Sequence, residues 1–268
     1  MAQNYWLFQL NKKGHVFLIT LSLLLYACAQ IVPLSGGEKD VDPPKEVKSV
    51  PSNQSINFAS KTIIIEFDEF IRLQHLSSQL IVSPLMDKTP AISVHGKKLI
   101  IKIESQLLPN TTYSINFGNA IADITENNEI PNYKYVFSTG NYLDSLSIAG
   151  HVVNAFNLKE EAKIYVLLYT NFNDSVPLKK LPRYVAITNK KGAFSITNIA
   201  QGKYKLFALK DINSNYIYDL PNEKIAFKSD TLVLDSSLTK NIIYLFHENN
   251  DLQYLKKATN KVYGKVEF

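Results

Sequence analysis

The densest run of metal-type oxygen donors in this chain is Asp211-Ile212-Asn213-Ser214-Asn215-Tyr216-Ile217-Tyr218-Asp219. Side-chain oxygens at the first, third, fifth and ninth places match the spacing with which a loop wraps a calcium ion. Three features depart from that pattern. Glu223 falls one place beyond the usual bidentate acid, Tyr216 stands where a glycine normally makes the turn, and no helical pattern flanks the run. An Asx-rich turn between strands is the competing reading, since Asp and Asn side chains bond backbone N–H groups a few residues on. Calcium at Asp211, Asn213, Asn215 and Asp219 is thus the one cofactor expectation, set against a plain turn.

Other reactive residues are scattered. Glu66, Asp68 and Glu69 place three acids within four positions, enough for acid–base work or for calcium. Glu66 and Asp68 share the polar side of a strand pattern, which reads as a solvated face. Asp123, Glu126 and Glu129 read as solvated loop acids. His75, His95, His151 and His247 are far apart in sequence, and no H-E-x-x-H, G-x-S-x-G, G-x-x-x-x-G-K-S/T or G-x-G-x-x-G motif occurs. The expectation is no enzyme. A hydrolase built on two carboxylates leaves no local motif and stays as a distant alternative. Cys28 is the single cysteine, which excludes an internal disulfide and a Cys-based zinc site.

The elements that must position these groups read as strands. The chain has 268 residues, 46% hydrophobic, with 15 Tyr and 14 Phe against 1 Trp and 2 Met. Tyr and Phe suit half-buried strands. Apolar residues alternate in Ile63, Ile65 and Phe67 and again in Thr112–Phe117, and no segment shows a 3.6-residue stripe. Formal charge is +5; without Lys12 and Lys13, which lie in a leader, 27 basic residues face 24 acidic ones. That balance is too even for a nucleic-acid footprint, which needs a clustered basic face.

Residues 1–27 read as a signal peptide: Lys12 and Lys13, then the apolar run Val16–Leu25, then Tyr26-Ala27 before Cys28. The run is shorter than the roughly 20 residues a membrane span needs. Leu25-Tyr26-Ala27-Cys28 resembles the lipobox of bacterial lipoproteins, which implies a diacylglycerol on Cys28 and a membrane partner through that anchor. Ala29–Val32 lack the acidic cluster that resembles a surface-export signal of Bacteroidetes lipoproteins. The resemblance therefore implies an outer-membrane lipoprotein facing the periplasm. Residues 28–44, with Pro33, Gly36, Gly37, Pro43 and Pro44, read as a tether.

Two modules follow. In residues 45–140, short strand patterns recur at sandwich spacing, with Gly96 at a hairpin turn. Leu107-Leu108-Pro109-Asn110-Thr111-Thr112-Tyr113 resembles the tyrosine corner of Greek-key sandwiches, a structural role for Tyr113. Together with Ile65-Glu66-Phe67-Asp68-Glu69 and Tyr135-Val136-Phe137-Ser138-Thr139-Gly140, this stretch resembles bacterial Ig-like domains of the SbsA type. In residues 145–247, Gly150-His151-Val152, then Thr188 through Gly192-Ala193-Phe194, then Gly202-Lys203-Tyr204 resemble the prealbumin-like modules found beside carboxypeptidase domains. Both resemblances imply an all-β fold of two consecutive sandwiches, used as spacer or docking units, with no active site.

Residues 248–268 read as a linker and a strand from Val262, which either opens a truncated third domain or joins the second sandwich. The functional expectation is a non-catalytic envelope lipoprotein whose modules act as scaffold or interaction units, with an envelope protein as partner. The alternative is calcium-assisted glycan or substrate binding. With Trp6 confined to the leader, that alternative relies on Tyr133, Tyr135, Tyr142 and Tyr216.

Overall fold

The structure is a computed structural model that describes residue 37, residues 39–248, and the backbone of 259–262 and 265–267. The expected signal peptide, Cys28 and most of the tether lie outside the described residues. Contacts divide the chain at residue 40, and everything described below belongs to the compact unit that starts at Val41.

The protein is all-β. Helix among the described residues is limited to α1 (Leu76–Gln79) and a 3-10 turn at Val176–Leu178. Nine strands build the first sandwich. β1 (Glu46–Val50), β2 (Thr62–Phe67), β6 (Lys98–Lys102) and β5 (Ala91–His95) form one sheet in the order β1-β2-β6-β5. β4 (Ile81–Ser83), β7 (Thr112–Gly118) and β9 (Tyr133–Ser138) form the facing sheet, and β3 (Ile71–Leu73) pairs with β8 (Ile121–Asp123) at one side. The period-2 pattern of β2 buries Ile63, Ile65 and Phe67 and turns Ile64 outward. These side chains meet Leu99 and Ile101 of β6 and Tyr113, Ile115, Phe117, Tyr135 and Phe137 of the other sheet in one core.

The second sandwich is a single eight-stranded sheet. β10 (Leu146–Asn154), β11 (Tyr165–Tyr169), β12 (Tyr184–Ile187), β13 (Ala193–Ile199), β14 (Gly202–Lys210), β15 (Lys224–Phe227) and β17 (Leu238–His247) run in the order β12-β11-β14-β15-β17-β10-β13. β16 (Leu232–Leu234) pairs with the start of β14. β10 and β17 are parallel; the other pairs are antiparallel. The inward residues of both wings, among them Ile148, Val152, Val166, Leu168, Leu206 and Ile243, enclose the core.

β11 and the Leu206–Leu209 stretch of β14 are buried on both faces, as their unbroken apolar sequences require. Their outer face carries Leu167, Tyr169, Phe207 and Leu209. It is covered by Val176 of the 3-10 turn, by Tyr216 and Tyr218, and by Ile81 and Leu85 from the first sandwich. The two sandwiches therefore share a hydrophobic cluster.

Polar bonds run across the same junction. The Val185 N–H donates to Ser83 Oγ at 3.2 Å, and the Leu85 N–H to the Arg183 carbonyl at 3.3 Å. Lys134 Nζ donates to Thr197 Oγ1 at 2.8 Å and Asn198 Oδ1 at 3.2 Å. Burial at this site pulls the Lys134 pKa below the ordinary lysine value. β18 (Thr259–Val262) and β19 (Lys265–Glu267) pair with each other as a two-stranded hairpin. The strand expected from Val262 falls on this pair.

Candidate functional site

The loop from Asp211 to Glu223 links β14 to β15 and rests on the outer face of β11. Asp211 Oδ1 accepts the N–H of Ser214 (2.6 Å) and Asn215 (3.3 Å), and Oδ2 accepts that of Tyr216 (2.7 Å). Asn213 Nδ2 and Asn215 Nδ2 both reach Asp219, at 3.2 and 2.8 Å. Glu223 is fully buried. Its Oε1 accepts the Ile212 N–H at 3.0 Å, and its Oε2 accepts those of Asp219 (3.1 Å) and Leu220 (3.2 Å). The displaced acid thus serves as the staple of the loop, closing its two ends with three backbone bonds.

Tyr216 takes φ of 61°, the left-handed conformation that a calcium loop assigns to glycine at that place. Its ring offsets the local strain by packing edge-on against Tyr165, with centroids 5.1 Å apart. Burial pushes the Tyr216 hydroxyl pKa up to about 12. The structure brings Asp211, Asn213, Asn215 and Asp219 into one loop, but their bonds are made to backbone N–H groups and to one another. Among the described residues no group of three or more His, Cys, Asp or Glu side chains converges as metal ligands. A cation would require the two asparagine amides to turn their oxygens toward Asp219.

The other acids are also committed. Glu66 pairs with Lys98 at 3.8 Å, and Asp68 Oδ1 accepts the Lys45 N–H at 2.8 Å. Asp123 corrects the solvated-loop expectation: it is buried. Its oxygens accept the N–H groups of Glu126 (2.6 Å), Asn127 (2.8 Å) and Asn128 (2.8 Å). Burial acts to raise the carboxyl pKa, but the bonds from Asn128, Glu126 and Asn127 outweigh it and hold the group below the ordinary aspartate value. A cleft of about 340 Å³ opens at the junction of the sandwiches, lined by Leu85, Asp87, Tyr169, Lys180 and Arg183 among others. It contains one carboxylate, Asp87, whereas the two-carboxylate chemistry considered from sequence requires a pair.

Tyr113 sits where a tyrosine corner puts it. The buried hydroxyl accepts the Leu108 N–H at 2.9 Å, and Asn110 before it takes φ of 48°. Gly96 turns the β5–β6 hairpin at φ of 63°. Gly192 takes φ of 66° between β12 and β13, and a Cβ there would stand 2.6 Å from the Val152 carbonyl. Gly202 starts β14 against the Tyr204 ring. The tyrosines considered for a sugar platform do not assemble into one. Tyr135 is buried and donates to the Pro51 carbonyl; Tyr133 donates to Glu46 Oε2; Tyr216 packs on Tyr165; Tyr142 alone of the four is exposed. Sequence reasoning missed the shared junction cluster and the buried acceptors Asp123 and Glu223.

Residues 40–139 match the family of bacterial Ig-like domains, a span within which the first sandwich falls. No curated protein matches the chain. Among solved structures, the major pilin subunit of Bacillus cereus is 10% identical, over 76% of this chain and 70% of that one, with a TM-score of 0.24. The N-terminal part of the bacterial S-layer protein SbsC is 10% identical over 74% of this chain and 44% of that one, with a TM-score of 0.26. The T6 backbone pilin of serotype M6 Streptococcus pyogenes is 10% identical over 65% of this chain and 46% of that one, with a TM-score of 0.22.

Proposed function

We propose that the protein is a non-catalytic cell-envelope lipoprotein whose two sandwiches form one rigid spacer that presents its surfaces to an envelope protein. The observation that carries this reading is the junction. Ile81 and Leu85 of the first sandwich pack into a cluster with Leu167, Tyr169, Val185 and Phe207 of the second. A flexible string of modules has no need of a shared core, whereas a scaffold that must hold its two ends at a fixed angle does. The bacterial Ig-like match over residues 40–139 agrees with a structural role. The resemblance of Leu25-Tyr26-Ala27-Cys28 to a lipobox supports lipid anchoring, and the lack of acids in Ala29–Val32 supports the periplasmic face of the outer membrane.

The test is affinity purification of the tagged chain from crosslinked envelopes, with mass spectrometry. A stoichiometric protein that is lost when the junction is disrupted by Ile81→Asp supports the reading. Recovery of polysaccharide alone moves the function to glycan binding. Anchoring is tested separately by acyl labelling, which Cys28→Ser should abolish.

Calcium-assisted ligand binding is the second reading. It is favoured by the left-handed Tyr216 at the place where a calcium loop turns, and it requires the Asn213 and Asn215 amides to rotate away from their present bonds to Asp219. Calcium at millimolar concentration should then raise the melting temperature, and Asp211→Ala should remove the gain. An unchanged melt leaves the loop as a self-satisfied cover for β11.

A further inference from the structure

The β10–β11 loop holds two apolar side chains outside the fold. Phe156 is 97% exposed and Leu158 is 65% exposed. Hydrogen bonds fix this arrangement. Asn154 Oδ1 accepts the N–H of Phe156 (2.9 Å) and Asn157 (3.3 Å), the Asn154 carbonyl accepts that of Leu158 (2.9 Å), and the Ala155 N–H donates to the Leu245 carbonyl (2.8 Å). Asn154 Nδ2 is in turn held by Glu161 at 3.0 Å. Leu158 takes φ of 57°, a conformation that a bulky side chain rarely adopts. The backbone is thus locked in a form that displays the phenylalanine and the leucine to solvent.

Lysines frame the tip. Lys159 follows it directly, and Lys163 lies at the end of the same loop. Lys190 and Lys191 lie on the β12–β13 turn, which touches the same loop: a Cβ on Gly192 would stand 3.2 Å from Glu161 N and 3.4 Å from Glu160 Cβ. All four lysines are exposed. Of the two acids in these loops, Glu161 is spent on Lys224 at 3.0 Å, which leaves Glu160 against four cations.

Protruding apolar side chains with exposed lysines on the same loop and on the adjoining turn suit the boundary of an anionic bilayer, where the apolar groups enter the acyl region and the ammonium groups meet phosphates. We propose that the Phe156–Leu158 loop is a membrane-contacting tip that inserts into an anionic lipid surface, with Lys159, Lys163, Lys190 and Lys191 on the headgroups. This contact does not depend on a lipid at Cys28 or on the scaffold role.

The test uses the full chain carrying Phe156→Trp, with Trp6→Phe removing the native indole. Vesicles of phosphatidylcholine mixed with phosphatidylglycerol should shift the introduced indole's emission to the blue, and brominated acyl chains should quench it. Lys190→Gln with Lys191→Gln should weaken the effect roughly 25-fold, at about fivefold per lysine near the surface. Three results would overturn the proposal. One is protein that floats with vesicles while the indole stays unquenched, which would leave the anchoring reading intact. Another is a blue shift that grows with protein concentration in the absence of lipid, which would assign the tip to a second copy of the chain. The third is equal quenching on pure phosphatidylcholine with no effect of the lysine changes.

Discussion

Replacing Ile81 with Ala removes an aliphatic side chain from the cluster that fastens the two sandwiches together. Ile81 is buried, and its strand lies between the first core and the outer face of β11 and β12. Losing three carbons costs about 2.4 kcal/mol in transfer free energy, and the residual cavity brings the total to about 3 kcal/mol. For a unit of this size each kcal/mol corresponds to about 2–4 °C, so the melting temperature should fall by roughly 6–12 °C. Circular dichroism at neutral pH reads the shift. Ile242→Ala, at a side chain 57% exposed on β17, serves as the control and should stay within about 0.5 kcal/mol of the parent. Because Ile81 and Val185 share the cluster across the junction, Ile81→Ala with Val185→Ala should be non-additive by at least about 0.5 kcal/mol. A shift no larger than the control's, or strict additivity of the pair, would refute the shared core.

Asp123→Asn should destabilise the first sandwich by about 2 kcal/mol, since it weakens charge-assisted bonds to a buried acceptor. The folded carboxyl titrates below its unfolded value, so the stability it contributes is complete above about pH 4 and is lost as pH falls through the folded pKa. The gap between parent and Asp123→Asn should therefore hold at neutral pH and close in acid; a gap constant down to pH values below that window would contradict the assignment. Tyr113→Phe should cost about 1 kcal/mol by urea unfolding, because it removes one acceptor for the Leu108 N–H and keeps the ring packing. Gly192→Ala should cost more than the same change at an exposed strand position, since the added Cβ meets the Val152 carbonyl at 2.6 Å and φ is positive.

The alternation of Ile63, Ile65 and Phe67 and the corner around Tyr113 were legible because each rests on neighbours in sequence: a two-residue period, or a hydroxyl reaching five residues back. The junction was not. Ile81-Val82-Ser83 is three residues long, too short for a period, and its partner Val185 is 102 residues away. The unbroken apolar run of β11 carried a signal of burial on both faces, but not the identity of the cover. Asp123 and Glu223 were misjudged or undervalued for one shared reason. An acid in a polar loop reads as solvated, and the backbone donors that bury it exist only once the loop has closed. At the calcium-like loop, the sequence departures at Tyr216 and Glu223 proved informative: one marks the left-handed turn and the other the staple.

The central claim is that the two sandwiches move as one body. Residual dipolar couplings of backbone amides, recorded in a single alignment medium for the full chain, test it directly. Couplings from residues 46–138 and from residues 146–247 are expected to fit one alignment tensor on the coordinates of the junction. Two tensors of different magnitude or orientation would mean that the sandwiches reorient independently, and the rigid-spacer account would be wrong.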